Sequence, residues 1–182
     1  MYEIEHRALV SEEKYEDLKI ALGDQAKSLG ADDKEVAYYI FPNKLLKVVK
    51  NISKGTGVLS LKLTALGQGS AFKELEIPFP VGDFDTMNSI CEEISVPEQV
   101  IIGTQKRSNY EYHGVEIALK WSEDWGYHVE FEKLISDLAE KDAADAEILE
   151  VANHFSVTVM SEEEVASFAR AVRERKAKDI KG

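Results

Sequence analysis

The sequence predicts an α+β protein whose antiparallel strands close into a β barrel, with helices packed on the outside. Three observations predict this class. Short alternating segments separated by Gly- or Pro-marked turns run from residue 3 to residue 135. One face of these segments is charged, and Glu-x-Glu occurs on it three times, at 3/5, 74/76 and 130/132. Separate stretches change to helical spacing and offer cover for the apolar faces.

Residues 3–10 alternate and read as the first strand. Ser11 caps a helix whose first turn carries Glu12 and Glu13 and whose apolar stripe is Leu18, Ala21 and Leu22. "EVAYYIF" stops at Pro42, and "KLLKVVKNI" leads to a Gly55-Thr56-Gly57 turn. "VLSLKLTAL" runs to a Gly67-Gln68-Gly69 turn, and "AFKELEIPF" follows. Residues 83–96 take helical spacing through Phe84, Met87, Ile90, Cys91 and Ile94, with Asp83 or Asp85 as cap. "QVIIGTQKRSNYEY", "VEIALKW" and "GYHVEFEKLI" are strands joined by turns at His113-Gly114 and Glu123–Gly126. Helices close the chain over about 137–178, the last opened by a Ser161/Glu164 capping box, with Lys176–Gly182 expected to fray. Residues 1–182 read as one domain.

Alternation sorts the strands into two faces. Ile4, Leu59, Leu61, Leu63, Leu75, Ile77, Val115, Ile117, Leu119, Val129 and Phe131 share one face. Glu3, Glu5, Arg7, Lys47, Lys62, Glu74, Glu76, Arg107, Glu116, Lys120, His128, Glu130 and Glu132 share the other. A solvated sheet face also alternates. Yet Glu is a poor strand former, so three Glu-x-Glu pairs need a reason. With helices covering the apolar faces, the charged face points into a barrel. Facing carboxylates repel there, and a hard divalent cation, Mg²⁺ or Mn²⁺, removes the repulsion using oxygen ligands alone. The interleaved bases then suit an anion, most simply a polyphosphate.

Composition narrows the function. The chain has 182 residues, 31% of them charged, and a net charge of −12. That charge opposes nonspecific binding to nucleic acid or to an anionic membrane, since both need a basic surface. No apolar run is long enough to span a bilayer, and the acidic N-terminus lacks the apolar core of a secretory signal, so a cytoplasmic protein is expected. The single cysteine, Cys91, is read as a small apolar residue of a helix.

The ordered set of strand motifs resembles the CYTH superfamily, the triphosphate tunnel metalloenzymes, over most of residues 2–133. Glu3-x-Glu5 with Arg7 resembles the opening motif, and Tyr38-Tyr39 resembles the tyrosine pair of the second strand. "LKVV", "LSLK", "KELE", "KRSNY" and "WGYHVEFE" resemble later strands in order. The resemblance implies an eight-stranded antiparallel tunnel acting on a small-molecule triphosphate or polyphosphate, as a metal-dependent triphosphatase. A class IV adenylate cyclase and a non-catalytic triphosphate-binding module are the alternatives. It also implies that Glu3, Glu5, Glu130 and Glu132 hold Mg²⁺ or Mn²⁺. Arg7, Lys47, Lys62 and Arg107 would grip the triphosphate; Arg7, Lys62 and Arg107 would stabilise the reacting phosphoryl group. Glu74 and Glu76 would order the bases, and Lys120 would add positive charge. Some relatives are homodimers, so a homodimer is compatible. The chain departs from the family pattern at Val49, Phe72 and Gln105, where bases are usual, and at Lys120, where a metal-binding Asp is usual.

Outside those motifs, His128 is read as a polar residue at a tunnel mouth in preference to a general base. Trp125 is read as packing, and Arg170 and Arg173 as a solvated helix face.

Overall fold

The structure is a computed structural model that describes residues 2–64 and 70–179. The strands are β1 (Tyr2–Leu9), β2 (Lys27–Ala31), β3 (Lys34–Ile40), β4 (Leu45–Asn51), β5 (Thr56–Lys62), β6 (Ala71–Phe72), β7 (Glu74–Pro80), β8 (Gln99–Tyr112), β9 (Val115–Ser122) and β10 (Gly126–Ile135). The helices are α1 (Glu12–Gln25), α2 (Phe84–Ile94), α3 (Lys141–His154) and α4 (Glu162–Asp179).

All pairings are antiparallel, and the sheet runs β6-β1-β10-β9-β8-β3-β4-β5-β7. β6 and β7 are one run of chain interrupted only at Lys73. The first part pairs Phe72 with Glu3 of β1, and the second pairs Glu74 with Lys62 of β5. This kinked run brings the two sheet ends together, so the barrel is nearly closed. Counted as one strand, it makes the wall eight-stranded, as the family resemblance implied. β2 lies off this path on β8. The first helical region is expected to end at Gly23 or Gly30; it ends at Gln25, and Lys27–Ala31, which has no apolar alternation to mark a strand, pairs with β8 through a register shift beside Gly30.

Residues that alternate outward meet the helices. α1 and α3 cover β1, β9 and β10 through Leu18, Leu22, Ile148 and Val151, which pack on Ile4, Ile117, Leu119, Val129 and Phe131. α2 covers β3 and β4 through Phe84 and Cys91, on Ala37, Tyr39 and Val48. Burial pushes the Cys91 thiol pKa up, which suits its packing role. The cover is incomplete. Leu63, Leu75 and Ile77 are 47%, 49% and 64% exposed, because no described helix reaches β5 and β7 there. The expectation of a covered apolar face fails on that wall.

The caps follow the sequence at Ser11, which accepts from Lys14 N–H, and at Ser161 with Glu164, which close a reciprocal box. Asp83 precedes α2 without a side-chain cap bond. His113 and Gly114 take left-handed φ values of 51° and 76° and make the tight β8–β9 turn. The predicted turn at 67–69 lies outside the described residues.

α4 departs most from expectation. It continues through Lys176 to Asp179, the rest of the run expected to fray lying outside the described residues, and it lies across one end of the barrel. Phe168 packs on Trp125 with ring centroids 4.9 Å apart, and Val172 joins the tunnel lining. Arg173 pairs with Glu98 at 3.0 Å, Arg175 donates to Asp124 O, and Lys176 pairs with Asp124 at 2.9 Å. Arg173 is therefore a tether, not part of a solvated face, while Arg170 is exposed. With Ile40, Leu45 and Ile101, Val172 gives that end an apolar lining.

Candidate active site

The antiparallel register of β1 and β10 builds the centre of the tunnel. It sets Arg7 opposite Glu130 and Glu5 opposite Glu132. β9 adds Lys120 opposite His128, and β8 adds Arg107 opposite Lys120. All these side chains line one cavity, together with Glu3, Lys47, Lys62, Glu74 and Glu76 from the remaining walls. The charged face thus points inward, as the sorting of strand faces required.

Each base inside has a carboxylate. Arg7 pairs with Glu5 and, through Nε, with Glu130 Oε1 at 2.9 Å. Lys62 lies 3.2 Å from Glu5, 3.7 Å from Glu3 and 4.0 Å from Glu74. Lys47 pairs with Glu74 at 2.6 Å, and Ser60 donates to the same carboxylate. Arg107 reaches Glu132 at 3.2 Å and Glu116 at 3.5 Å, and its Nε donates to Asn109 at 2.6 Å. Lys120 donates to Glu130 Oε2 at 2.7 Å. Glu76 sits on the exposed rim.

The acids divide into two electrostatic classes. Burial opposes ionisation of Glu5 and Glu130, but the bases outweigh it. Arg7 and Lys62 hold Glu5 at about 2, and Lys120, Arg7 and Arg107 hold Glu130 well below the usual carboxylate range. Glu3 and Glu132 go the other way. Burial comes first, and neighbouring carboxylates add to it; together they push Glu3 to about 8 and raise Glu132 against Lys62 and Arg107 respectively. These two acids lack enough positive charge.

A divalent cation fits that deficit. Oxygen atoms of Glu5, Glu130 and Glu132 lie within 4.8 Å of one another, an all-oxygen donor set of the kind hard cations take. Glu3 is outside that trio but faces the same cavity from the same strand. An anion fits as well. Arg7 Nε is buried, and its N–H is not aligned with the nearby Glu130 oxygen, so it has no hydrogen-bond acceptor. A phosphate oxygen beside it would supply one.

Metal affinity should therefore depend on pH. Below about 8, Glu3 carries a proton, which a cation bound beside it would displace. The affinity for Mn²⁺ is expected to rise by up to about tenfold per unit from about pH 6 to about pH 8, then level off. Calorimetric titrations at three pH values check this, and a flat profile contradicts it.

Several residues outside the expected set line or brace the tunnel. Lys34 lines the tunnel directly opposite Gln105, two residues before the Val36–Val49 pair. It returns a base to the wall where Val49 and Gln105 lack one. Its signal was available: Lys34, Val36, Tyr38 and Ile40 share one parity, but the Asp-Asp-Lys start resembles a turn. Asp32, 3% exposed, sits 2.9 Å from Lys34, 2.8 Å from Lys54 and 3.6 Å from Arg107 Nε. Asp32 N–H also donates to Arg107 O, and Arg107 N–H to Asp33 Oδ1, so this corner holds Arg107 by backbone and side chain. Gln105 donates to the Tyr38 hydroxyl, which fixes the inward member of the tyrosine pair.

Phe72 has a definite role. Its ring centre lies 3.6 Å from Lys62 Nζ, so an aromatic face steadies the base that a neighbouring cation would repel. Phe72→Leu is expected to lower stability by about 1–2 kcal/mol through lost cation–π and packing energy. An unchanged urea midpoint would contradict that role. Trp125 packs as expected, and Arg7 lies over its ring at 5.2 Å. His128 Nδ1 lies 3.0 Å from Gly126 O, and burial pushes its pKa down to about 4. It is neutral at pH 7.

Comparison with known proteins agrees with this geometry. The sequence profile of the CYTH domain matches residues 1–164. The chain belongs to the CYTH domain family. No curated protein sequence matches it. This CYTH domain is similar in fold to the PH1012 protein of Pyrococcus horikoshii, with a TM-score of 0.70 and 22% identity, over 89% of this chain and 98% of that one. A candidate adenylate cyclase of Vibrio parahaemolyticus superposes with a TM-score of 0.65 and 15% identity, over 92% and 98%. A Hippeastrum protein named for adenylyl cyclase, in which triphosphatase activity is dominant, does so at 0.61 and 14%, over 91% and 94%. At these identities the likeness shows the fold. α4 lies almost wholly beyond the matched residues, so the helix across the tunnel end is not part of the family profile.

Proposed function

We propose that this CYTH domain is a divalent-metal-dependent phosphohydrolase of a triphosphate compound. One observation carries the reading: convergent carboxylates and bases interleave in a single tunnel, each base held by a carboxylate. The tunnel is close to electrically balanced when empty, inside a chain of net charge −12. A polyanion alone would have to pull the bases from their acids. With a divalent cation held by the acids, Arg7, Lys62 and Arg107 would be free to pair with the anion, so the two ligands would bind cooperatively.

A bound Mg²⁺ or Mn²⁺ would polarise a phosphoryl oxygen and lower the pKa of a water. The chain's own groups do the rest. Arg7, Lys62 and Arg107 neutralise charge on the reacting phosphoryl oxygens, while Lys47 and Lys34 hold the remaining phosphates in line. Glu74 keeps Lys47 and Lys62 in place. Water adds to the terminal phosphorus, the bridging P–O bond breaks towards diphosphate, and a proton is released. Inorganic, nucleoside and thiamine triphosphates all present this group. Because α4 lies across one end, any organic part would remain towards the other.

The substitutions at Phe72, Val49, Gln105 and Lys120 favour a second reading, a binder without turnover. Calorimetry with inorganic tripolyphosphate, with and without Mn²⁺, separates the two. The hydrolase reading expects binding at least about tenfold tighter with Mn²⁺, and free phosphate in the same sample. Tight binding with no phosphate supports the binder. Cyclic AMP and diphosphate from ATP would instead identify a cyclase.

A further inference from the structure

Lys120 is the feature that the proposed function leaves unexplained. It is 6% exposed, and its ammonium donates to Glu130 Oε2 at 2.7 Å, inside the group of acids that converge on a cation site. Its cross-strand neighbours are His128 and Arg107, neither of which offers a negative charge. Glu130 is its one ion-pair partner among the described residues. The other oxygen of Glu130 faces Arg7 at 2.9 Å. Both oxygens of this acid therefore face a cation. Glu132 has only Arg107 within ion-pair distance, and Glu3 only Lys62, at 3.7 Å.

A divalent ion on Glu130 would sit about 2.1 Å from its oxygen, so it would lie under about 5 Å from the Lys120 ammonium. At that separation, in a cavity poor in water, the repulsion is severe. An ion on the Glu132 side, shared with Glu3, meets the two acids that lack positive charge, and Glu5, whose oxygens face Arg7 and Lys62, would complete its ligands. We propose that Lys120 is a built-in cation that reserves Glu130 as its counter-ion, so that the tunnel admits one divalent ion, on Glu132 with Glu5 and Glu3. This inference rests on the metal dependence proposed above. It makes Lys120 a residue that sets metal number, and it accounts for a lysine on a strand position where an acid would extend the cluster.

The test counts ions. Mn²⁺ is titrated into the whole chain and into Lys120→Arg, Lys120→Asp and Lys120→Gln, with bound metal measured by electron paramagnetic resonance and folding checked by circular dichroism. The wild type and Lys120→Arg should bind one equivalent. Lys120→Asp should bind two, since it adds a ligand and frees Glu130. Lys120→Gln, which keeps the length and loses the charge, should bind Mn²⁺ about tenfold tighter or more even if Lys120→Asp does not fold. Removing the ammonium leaves Glu130 paired with Arg7, which favours a folded chain. Two equivalents in the wild type, or unchanged Mn²⁺ binding in Lys120→Gln, overturns the inference. If the wild type binds one ion and turns over no triphosphate, the function fails and the inference stands. If it binds two and turns over triphosphate, the reverse holds. No Mn²⁺ binding removes both.

Discussion

Glu5→Gln is expected to reduce metal-dependent release of phosphate from tripolyphosphate to background while leaving the chain folded. Glu5 is 8% exposed and joins three elements of the site at once. Its oxygens belong to the convergent acid trio, and they also hold Arg7 and Lys62. Losing a group that only orients a metal ligand commonly costs about 10–100-fold. Losing a ligand that also positions two bases should cost at least about 100-fold, and more where the charge on phosphate goes uncompensated. The amide keeps the volume and can still accept from Arg7, so folding should survive. The check is a phosphate-release assay on wild type and variant, each with a thermal melt. A variant that melts normally and retains more than about a tenth of the wild-type rate contradicts the assignment of Glu5.

Glu130→Ala is expected to be the most destabilising single change in the tunnel, by about 3–5 kcal/mol. Glu130 is 4% exposed and lies among Arg7 at 2.9 Å, Lys120 at 2.7 Å and Arg107 at 4.0 Å. Its removal leaves three cations facing one another with nothing buried between them. Breaking a buried pair from one side costs far more than replacing it whole, because the remaining charge is stranded. Glu130→Ala combined with Lys120→Met should therefore recover part of the loss. Urea unfolding of the single and double variants measures both. A single variant within about 1 kcal/mol of the wild type would show that these cations are hydrated and that Glu130 is not their counter-ion.

The walls of this tunnel could be read from the chain because parity survives folding. Glu3, Glu5 and Arg7 had to share a face, and Glu130 and Glu132 had to share theirs. Antiparallel pairing then brought the two strands together with Arg7 against Glu130. Parity says nothing about where a strand begins. Lys34 was lost for that reason: it carries the inward parity of Tyr38 but follows two aspartates that look like a turn. Nor does it say how much cover a sheet receives, so the exposed Leu75 and Ile77 on β7 could not be foreseen.

The tunnel end was invisible for a different reason. α4 presents one apolar residue, Val172, to the cavity, and holds on through Arg173, Arg175 and Lys176 to Glu98 and Asp124. Charged residues near a helix C-terminus satisfy the helix dipole wherever they are, so their pattern resembles that of a solvated helix. Phe72 shows the limit of matching motifs. Its place in the pattern suggested a missing base, whereas its ring steadies the base already present at Lys62.

The most direct test of the proposed function follows inorganic tripolyphosphate with the wild-type chain by phosphorus-31 NMR, in Mg²⁺ and in Mn²⁺, with a chelated control. The account predicts that the central phosphorus resonance disappears as diphosphate and phosphate form in equal amounts. It also predicts that chelation stops the reaction and that Glu5→Gln prevents it. A folded, metal-loaded chain that leaves tripolyphosphate, ATP and thiamine triphosphate all intact would contradict it.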